Sequence, residues 1–125
     1  MSGGIVLDAG AWIALERADP RVRRILDRTK RDGIALVTSA GVIAQIWRGG
    51  TGVQAAVALV LARTEVVAIE PMIARRIGLV LGGSGTSDPI DAHVAMLAIL
   101  RGWPVLTSDP DDLLAIDPTI VVERV

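Results

Sequence analysis

Carboxylates are concentrated in the last third of the sequence, and their spacing would suit the binding of a cation. Asp88 and Asp91 lie three residues apart at the start of a helical pattern, so their side chains share one face of that helix. A second group directly follows an apolar strand pattern and comprises Asp109, Asp111 and Asp112. Clustered carboxylates repel one another unless a cation lies among them, and hard oxygen ligands suit Mg²⁺ or Mn²⁺.

One further acid lies near the beginning of the chain. Asp8 directly follows the apolar run at residues 5–7, which reads as a short buried strand. If that strand runs parallel to the one at residues 104–107, Asp8 joins the other acids outside the strand ends, where open α/β sheets place their sites. Each Asp taken singly is also an ordinary helix cap or turn residue. Taken as a group, the acids predict a metal site.

The elements that must position these acids alternate between strand and helix along the whole chain. Helical patterns separate five strand patterns, at residues 5–7, 34–37, 65–69, 104–107 and 120–122. The composition is 51% hydrophobic with 2% aromatic residues, so branched aliphatic side chains must fill the core, as in strands buried on both faces. This order predicts an α/β fold: a three-layer α/β/α sandwich with a mostly parallel central sheet.

Size and composition limit the other possibilities. With 125 residues, the chain fits one domain spanning residues 1–125. It has no cysteine, which excludes disulfides and thiolate metal sites. It has no apolar run long enough to span a membrane and no basic signal-peptide start. We therefore expect a cytoplasmic protein without membrane contact.

Basic residues cluster in a predicted helix at residues 21–31 and just before it. Of the 13 basic residues, seven lie in this region: Arg17, Arg21, Arg23, Arg24, Arg28, Lys30 and Arg31. A basic arm opposite an acidic pocket is consistent with nucleic-acid binding, because phosphate contacts need cations and a metal site needs acids. A solvated helix face is an equally good interpretation, since Asp19, Asp27 and Asp32 are interspersed there.

Four motifs in this order resemble those of the PIN-domain family, and specifically VapC-type toxin ribonucleases. The resemblance covers nearly the whole chain and rests on residues 7–9, 38–39 with 44–48, 88–93 and 105–110. It implies a Mg²⁺- or Mn²⁺-dependent endoribonuclease that cleaves RNA phosphodiester bonds. It also implies that the protein is the toxin of a type II toxin-antitoxin system, silenced by a cognate VapB-like antitoxin.

The resemblance also implies roles for individual residues. Acidic residues at the positions of Asp8, Asp91 and Asp109 hold the metal in that family and are catalytic, and a glutamate stands where this chain has Gln45. An amide oxygen can ligate a hard cation but brings no charge, so reduced activity is expected. Asp88 and Asp112 are further candidate ligands that could compensate. The alternative function is a catalytically weak PIN-fold module that binds RNA or the antitoxin.

Other chemistries fit the residues less well. His93 is the only histidine and stands beside Asp91 without a G-x-S-x-G motif, so a serine triad is disfavoured. A receiver domain needs a lysine on a late strand, and the only lysine is Lys30. A haloacid-dehalogenase phosphatase needs a second acid two residues after Asp8, where the chain has Gly10. The apolar helix predicted at residues 51–62 offers a contact surface, which predicts a homodimer or an antitoxin groove.

Overall fold

A computed structural model describes residues 3–125 and contains one five-stranded sheet. The strands are β1 (Gly4–Leu7), β2 (Ala35–Ser39), β3 (Thr64–Val67), β4 (Val105–Thr107) and β5 (Val122–Arg124). Every neighbouring pair is parallel, in the order β3-β2-β1-β4-β5. The chain therefore turns back at β1, and the C-terminal ends of β1 and β4 lie side by side at the point where the strand order reverses.

Helices cover the sheet in two groups. The first group is α1 (Ala9–Glu16), α2 (Pro20–Asp32), α3 (Ala40–Ile46), a 3₁₀ turn (Gly52–Gln54) and α4 (Ala55–Leu61). The second group is α5 (Pro71–Ser84), α6 (Pro89–Arg101) and α7 (Pro110–Ile116). Helix α1 packs against the other three helices of its group, and α6 packs against α5, α7, β1 and β2. The predicted three-layer α/β/α sandwich is confirmed, and its sheet is wholly parallel.

The core lies on both faces of β1, β2 and β4. Val6, Val37 and Val105 are fully buried on these strands, and Trp12 of α1 is the largest fully buried side chain among the described residues. In α6, the residues from Ala92 to Ala95 are all buried, because this helix lies between the sheet and two other helices. This packing holds the start of α6, and with it Asp91, against the ends of the central strands.

Several predicted boundaries shift for identifiable reasons. The expected helix at residues 51–62 is split, because the buried Gln54 side chain accepts hydrogen bonds from the backbone N–H of Arg48 and Gly50 and donates to Ile46. The glycine-rich residues 82–84 belong to α5, whose C-cap is Gly85 with φ of 72°. The carboxylates that follow β4 lie at the start of helix α7. Strand β3 ends at Val67 rather than at residue 69, and β5 begins at Val122 rather than at residue 120.

Within residues 3–125, no helix has the length and apolar character needed to cross a membrane.

Candidate metal and nucleic-acid site

Asp8 stands between the end of β1 and the start of α1. It is the N-cap of α1, and its carboxylate accepts a hydrogen bond from the backbone N–H of Ala11 at 3.1 Å. Burial raises the pKa of Asp8 and repulsion from Asp109 adds to the rise, whereas hydrogen bonds from the Thr107 hydroxyl and from backbone N–H groups oppose it. The capping interpretation of Asp8 is therefore correct, and its carboxylate also lies close enough to Asp109 for the two charges to repel.

Asp88 and Asp91 stand at the start of α6. Asp88 is the N-cap and accepts hydrogen bonds from the backbone N–H of Ile90 at 2.8 Å and of Asp91 at 3.2 Å. Asp91 lies in the first turn, half-buried, and its side chain is not used for capping. Asp91 is thus the acid of this pair that has no structural role in the helix.

Asp109 and Asp112 stand at the start of α7. Asp109 holds the N-cap position but makes no side-chain capping bond, while its own backbone N–H donates to the Thr107 hydroxyl at 2.9 Å. A hydrogen bond between the two carboxyl groups raises the pKa of the exposed Asp112 carboxyl, and charge repulsion from Asp109 adds to the rise. The Asp109 and Asp112 carboxyl groups therefore lie close together.

Asp91 lies near four other carboxylates. Burial raises the pKa of Asp91 from 3.8 to about 6, and four other carboxylates add to the rise: Asp88, Asp112, Asp8 and Asp109. We call these five residues the acidic cluster. Neither of the two salt bridges within residues 3–125 involves a member of it. The cluster is a concentration of negative charge that has no cationic partner in the described part of the chain.

The donor set suits a hard divalent cation, although the side chains are not already arranged as ligands. In the part of the chain that the structure describes, no three acidic or histidine side chains are disposed to hold a metal ion as they stand. Two of the five carboxylates are engaged in capping helices. A cavity of about 290 Å³ lined by Asp88, Asp91 and Asp112 opens beside the cluster.

Gln45 lies in α3 and is exposed. It comes one helical turn after Gly41, on the same face of the helix. Gly41 is where α3 meets the start of α6, since an added Cβ there would come within 2.9 Å of the Ile90 side chain. Gln45 is therefore on the side of α3 that faces the start of α6.

Three buried hydrogen bonds that sequence reasoning missed hold the strands and helices that carry these acids. The Thr38 hydroxyl donates to the carbonyl of Leu7 at 2.7 Å and accepts from the Trp12 indole at 3.2 Å, which fixes the backbone just before Asp8. On the other face of β2, Ser39 Oγ lies 2.6 Å from Nδ1 of the buried His93. The Thr-Ser motif at residues 38–39 was the one sign of these hydrogen bonds in the sequence. It did not identify the bonding partners of Thr38 and Ser39, which lie 26 to 54 positions away.

The basic helix lies away from the acidic cluster. Arg21, Arg24, Arg28 and Arg31 line a cavity of about 800 Å³ between α2 and strands β1, β4 and β5, and none of the five clustered carboxylates lines it. Arg21 pairs with Glu123 at 3.5 Å, with both side chains exposed. Four of the seven residues of the predicted basic arm therefore share a cavity with Asp27 and Glu123, and this cavity is separate from the one beside the acidic cluster.

Comparison with known proteins bears on this arrangement. The sequence matches the family model of the PIN domain over residues 5–117. No protein of curated function matches it significantly.

Three solved structures share the fold over almost the whole chain. VapBC2 from Rickettsia felis, bound to a DNA fragment from its promoter, matches with a TM-score of 0.72 and 15% identity over 99% of this chain and 98% of that chain. DNA-bound VapBC from Salmonella typhimurium matches with a TM-score of 0.68 and 20% identity over 98% of both chains. PAE2754 from Pyrobaculum aerophilum matches with a TM-score of 0.63 and 22% identity, over 98% of this chain and 92% of that chain.

Proposed function

The chain belongs to the PIN domain family, and from this membership and the acidic cluster we propose that it is a metal-dependent endoribonuclease. The observation that carries the proposal is the position of Asp91 among four other carboxylates. Burial, and to a lesser extent four neighbouring carboxylates, raise the pKa of Asp91 to about 6, and neither salt bridge of the described residues involves it. Such an arrangement disfavours ionised carboxylates in the free protein and becomes favourable when a divalent cation is bound.

Asp8, Asp91 and Asp109 would hold the ion, which we propose is Mg²⁺ or Mn²⁺, with Asp112 and Asp88 as the next candidates. A bound ion of this kind lowers the pKa of water and neutralises charge on a phosphodiester. The protein's part is positional. The N-cap bond fixes Asp8, α6 presents Asp91, and the Thr107 hydroxyl holds the backbone at Asp109.

RNA is the proposed substrate, and a VapB-like antitoxin is the proposed partner. Two of the structurally similar proteins are VapBC pairs bound to DNA, and this chain is similar to them from end to end. Seven basic residues lie at positions 17–31, and four of them share the long cavity beside α2. Phosphate contacts from this helix would orient the RNA without reading its sequence.

The test is cleavage of an end-labelled single-stranded RNA by the purified chain with Mn²⁺, with Mg²⁺ and with a chelator. Asp8→Asn should abolish cleavage. Asp32→Asn is the matched control, because it removes one exposed acid at the end of α2, away from the acidic cluster. Cleavage that persists in Asp8→Asn, or loss of cleavage in both variants, would count against the proposed site.

A second function is favoured by Gln45. Where the family resemblance places a glutamate, this chain has an exposed amide, which reduces the negative charge available to a metal ion. The alternative is therefore a catalytically weak PIN-fold module that binds RNA or the antitoxin. RNA binding by gel shift without cleavage at any Mn²⁺ concentration, together with binding of the antitoxin, would favour the module over the enzyme.

A further inference from the structure

A buried hydrogen bond between Ser39 and His93 joins the end of β2, where α3 begins, to α6. Ser39 is the last residue of β2 and is 0% exposed, and His93 lies in the second turn of α6 and is 1% exposed. Ser39 Oγ and His93 Nδ1 are 2.6 Å apart. Neither residue is acidic, and the proposed RNA cleavage uses neither side chain directly.

The hydroxyl of Ser39 makes two contacts at once. Its oxygen accepts a hydrogen bond from the backbone N–H of Gly41 at 3.0 Å, which makes Ser39 the N-cap of α3. In the tautomer with the ring proton on Nε2, His93 Nδ1 accepts the Ser39 hydroxyl proton. A single side chain therefore fixes where α3 begins and where the second turn of α6 lies.

The two helices joined in this way carry candidate ligands from opposite layers. His93 follows Asp91 by two residues on α6, and Ser39 precedes Gln45 by six residues at the head of α3. The same helices also meet where Gly41 packs on Ile90. A rotation or slide of α6 relative to β2 would move the Asp91 carboxylate with respect to both α3 and Asp8.

We propose that Ser39 and His93 are positioning residues of the metal site: their hydrogen bond sets the placement of Asp91 relative to α3 and Asp8. This inference rests on the proposed function in so far as that site binds a divalent cation. It predicts that breaking the bond weakens cation binding even when the fold is retained. A merely structural role would lower stability and leave the affinity unchanged.

Three variants separate these possibilities. His93→Leu keeps an apolar side chain in the pocket and leaves the Ser39 hydroxyl without its acceptor. His93→Asn is the conservative variant, because its side-chain oxygen can occupy the position of Nδ1 and accept the same bond. Thr29→Val is the control for lost stability, because it removes another buried hydroxyl, which donates to the Leu26 carbonyl at 2.6 Å in α2.

The measurement is the Mn²⁺ dissociation constant from calorimetry, with thermal melting of each metal-free protein. His93→Leu should weaken Mn²⁺ binding roughly 3- to 10-fold, the range expected when one buried hydrogen bond no longer holds its partner. His93→Asn should recover affinity to within about twofold of wild type. Thr29→Val should melt at a lower temperature and bind Mn²⁺ as wild type does. Equal affinity in His93→Leu and wild type, or no recovery in His93→Asn, would overturn the inference.

A wild-type chain that binds no Mn²⁺ would count against the proposed function, and whether the Ser39–His93 bond holds the start of α6 in place is then decided by a measurement that needs no metal. Amide hydrogen exchange over residues 91–95 should be faster in His93→Leu than in both wild type and Thr29→Val, because the start of α6 is released. Exchange at the wild-type rate in His93→Leu would overturn the inference on its own.

Discussion

Replacing Asp91 with Asn should stabilise the metal-free protein at neutral pH. The pKa of this carboxyl is raised from 3.8 to about 6 by burial and by the four neighbouring carboxylates, so its charge is unfavourable in the folded state. A shift of about two units corresponds to ~3 kcal/mol if counted in full. Because the side chain is half-exposed, solvent screening reduces the expected gain to about 1 kcal/mol. For a chain of this length, that gain raises the melting temperature by roughly 3–5 °C.

The stability difference between Asp91→Asn and wild type should depend on pH. The folded state holds the Asp91 proton up to about pH 6, whereas the unfolded chain releases it near pH 3.8. The charge of Asp91 therefore costs stability progressively as pH rises from about 4 to 6, and the full cost is present above pH 6. Asp91→Asn should match wild type at pH 4 and exceed it at pH 7.5.

Differential scanning calorimetry at both pH values, in chelator and in excess Mn²⁺, is the assay. With Mn²⁺ at about 100 times its dissociation constant, the wild type should gain ~2.7 kcal/mol of stability and Asp91→Asn should gain much less. Asp32→Asn should follow the wild type throughout. A lower apo stability of Asp91→Asn at pH 7.5, with RNA cleavage intact, would show that Asp91 is a structural residue and refute the reasoning.

Four further predictions concern other parts of the molecule. Gln45→Glu should tighten Mn²⁺ binding and raise the rate of RNA cleavage at limiting metal, because affinity for a hard cation rises with ligand charge. Equal or weaker Mn²⁺ binding in calorimetry would mean that Gln45 is not at a ligand position. Thr38→Val should lower the free energy of unfolding in urea by about 1–3 kcal/mol, because a buried indole N–H and a buried carbonyl lose their partner; an unchanged midpoint would contradict this. Leu59 is 76% exposed on α4. Leu59→Glu should therefore dissociate a homodimer or weaken antitoxin binding. If light scattering shows that the wild type is a monomer and the substitution leaves antitoxin binding unchanged, α4 is not the contact surface. Arg24→Ala combined with Arg28→Ala should weaken RNA binding and reduce its dependence on salt; an unchanged salt slope would leave α2 as a solvated face.

The strand ends and helix starts could be predicted from the sequence because their signals are local. Asp8, Ser39 and Asp88 are small polar residues at the ends of apolar patterns, and all three are N-caps in the structure. The placement of Asp8 and Asp109 at one edge followed from the parallel sheet, because β1 and β4 are neighbours. The function of these residues in metal binding stays a prediction.

The contact surface on α4 was predicted less well. The pattern at residues 51–62 suggested one apolar face that included Val53 and Val57. Because residues 52–54 form a 3₁₀ turn, that register breaks, and Val57 is 1% exposed in the core while Val53 and Leu59 are exposed. The cause is the buried Gln54 side chain, whose partners lie in the preceding segment. The helical periodicity of a sequence does not indicate a side-chain contact of this kind with a preceding segment.

His93 illustrates the same limit. A histidine beside a candidate ligand on one helix gave no indication of its partner, since Ser39 lies 54 positions away in sequence. The burial of His93 follows from the packing of α6 between the sheet and two other helices. That packing is a property of the whole fold, so only the structure could assign the histidine to the β2–α6 contact.

The chemistry of the RNA ends after cleavage tests the central claim most directly. If the acidic cluster holds a divalent cation and water attacks the phosphodiester, the products carry no 2′,3′-cyclic phosphate. We predict hydrolytic ends with Mn²⁺, and no products with chelator or with Asp8→Asn. Cyclic phosphate ends, or cleavage that continues in chelator, would contradict the account, because both point to attack by the RNA's own 2′-hydroxyl without a metal.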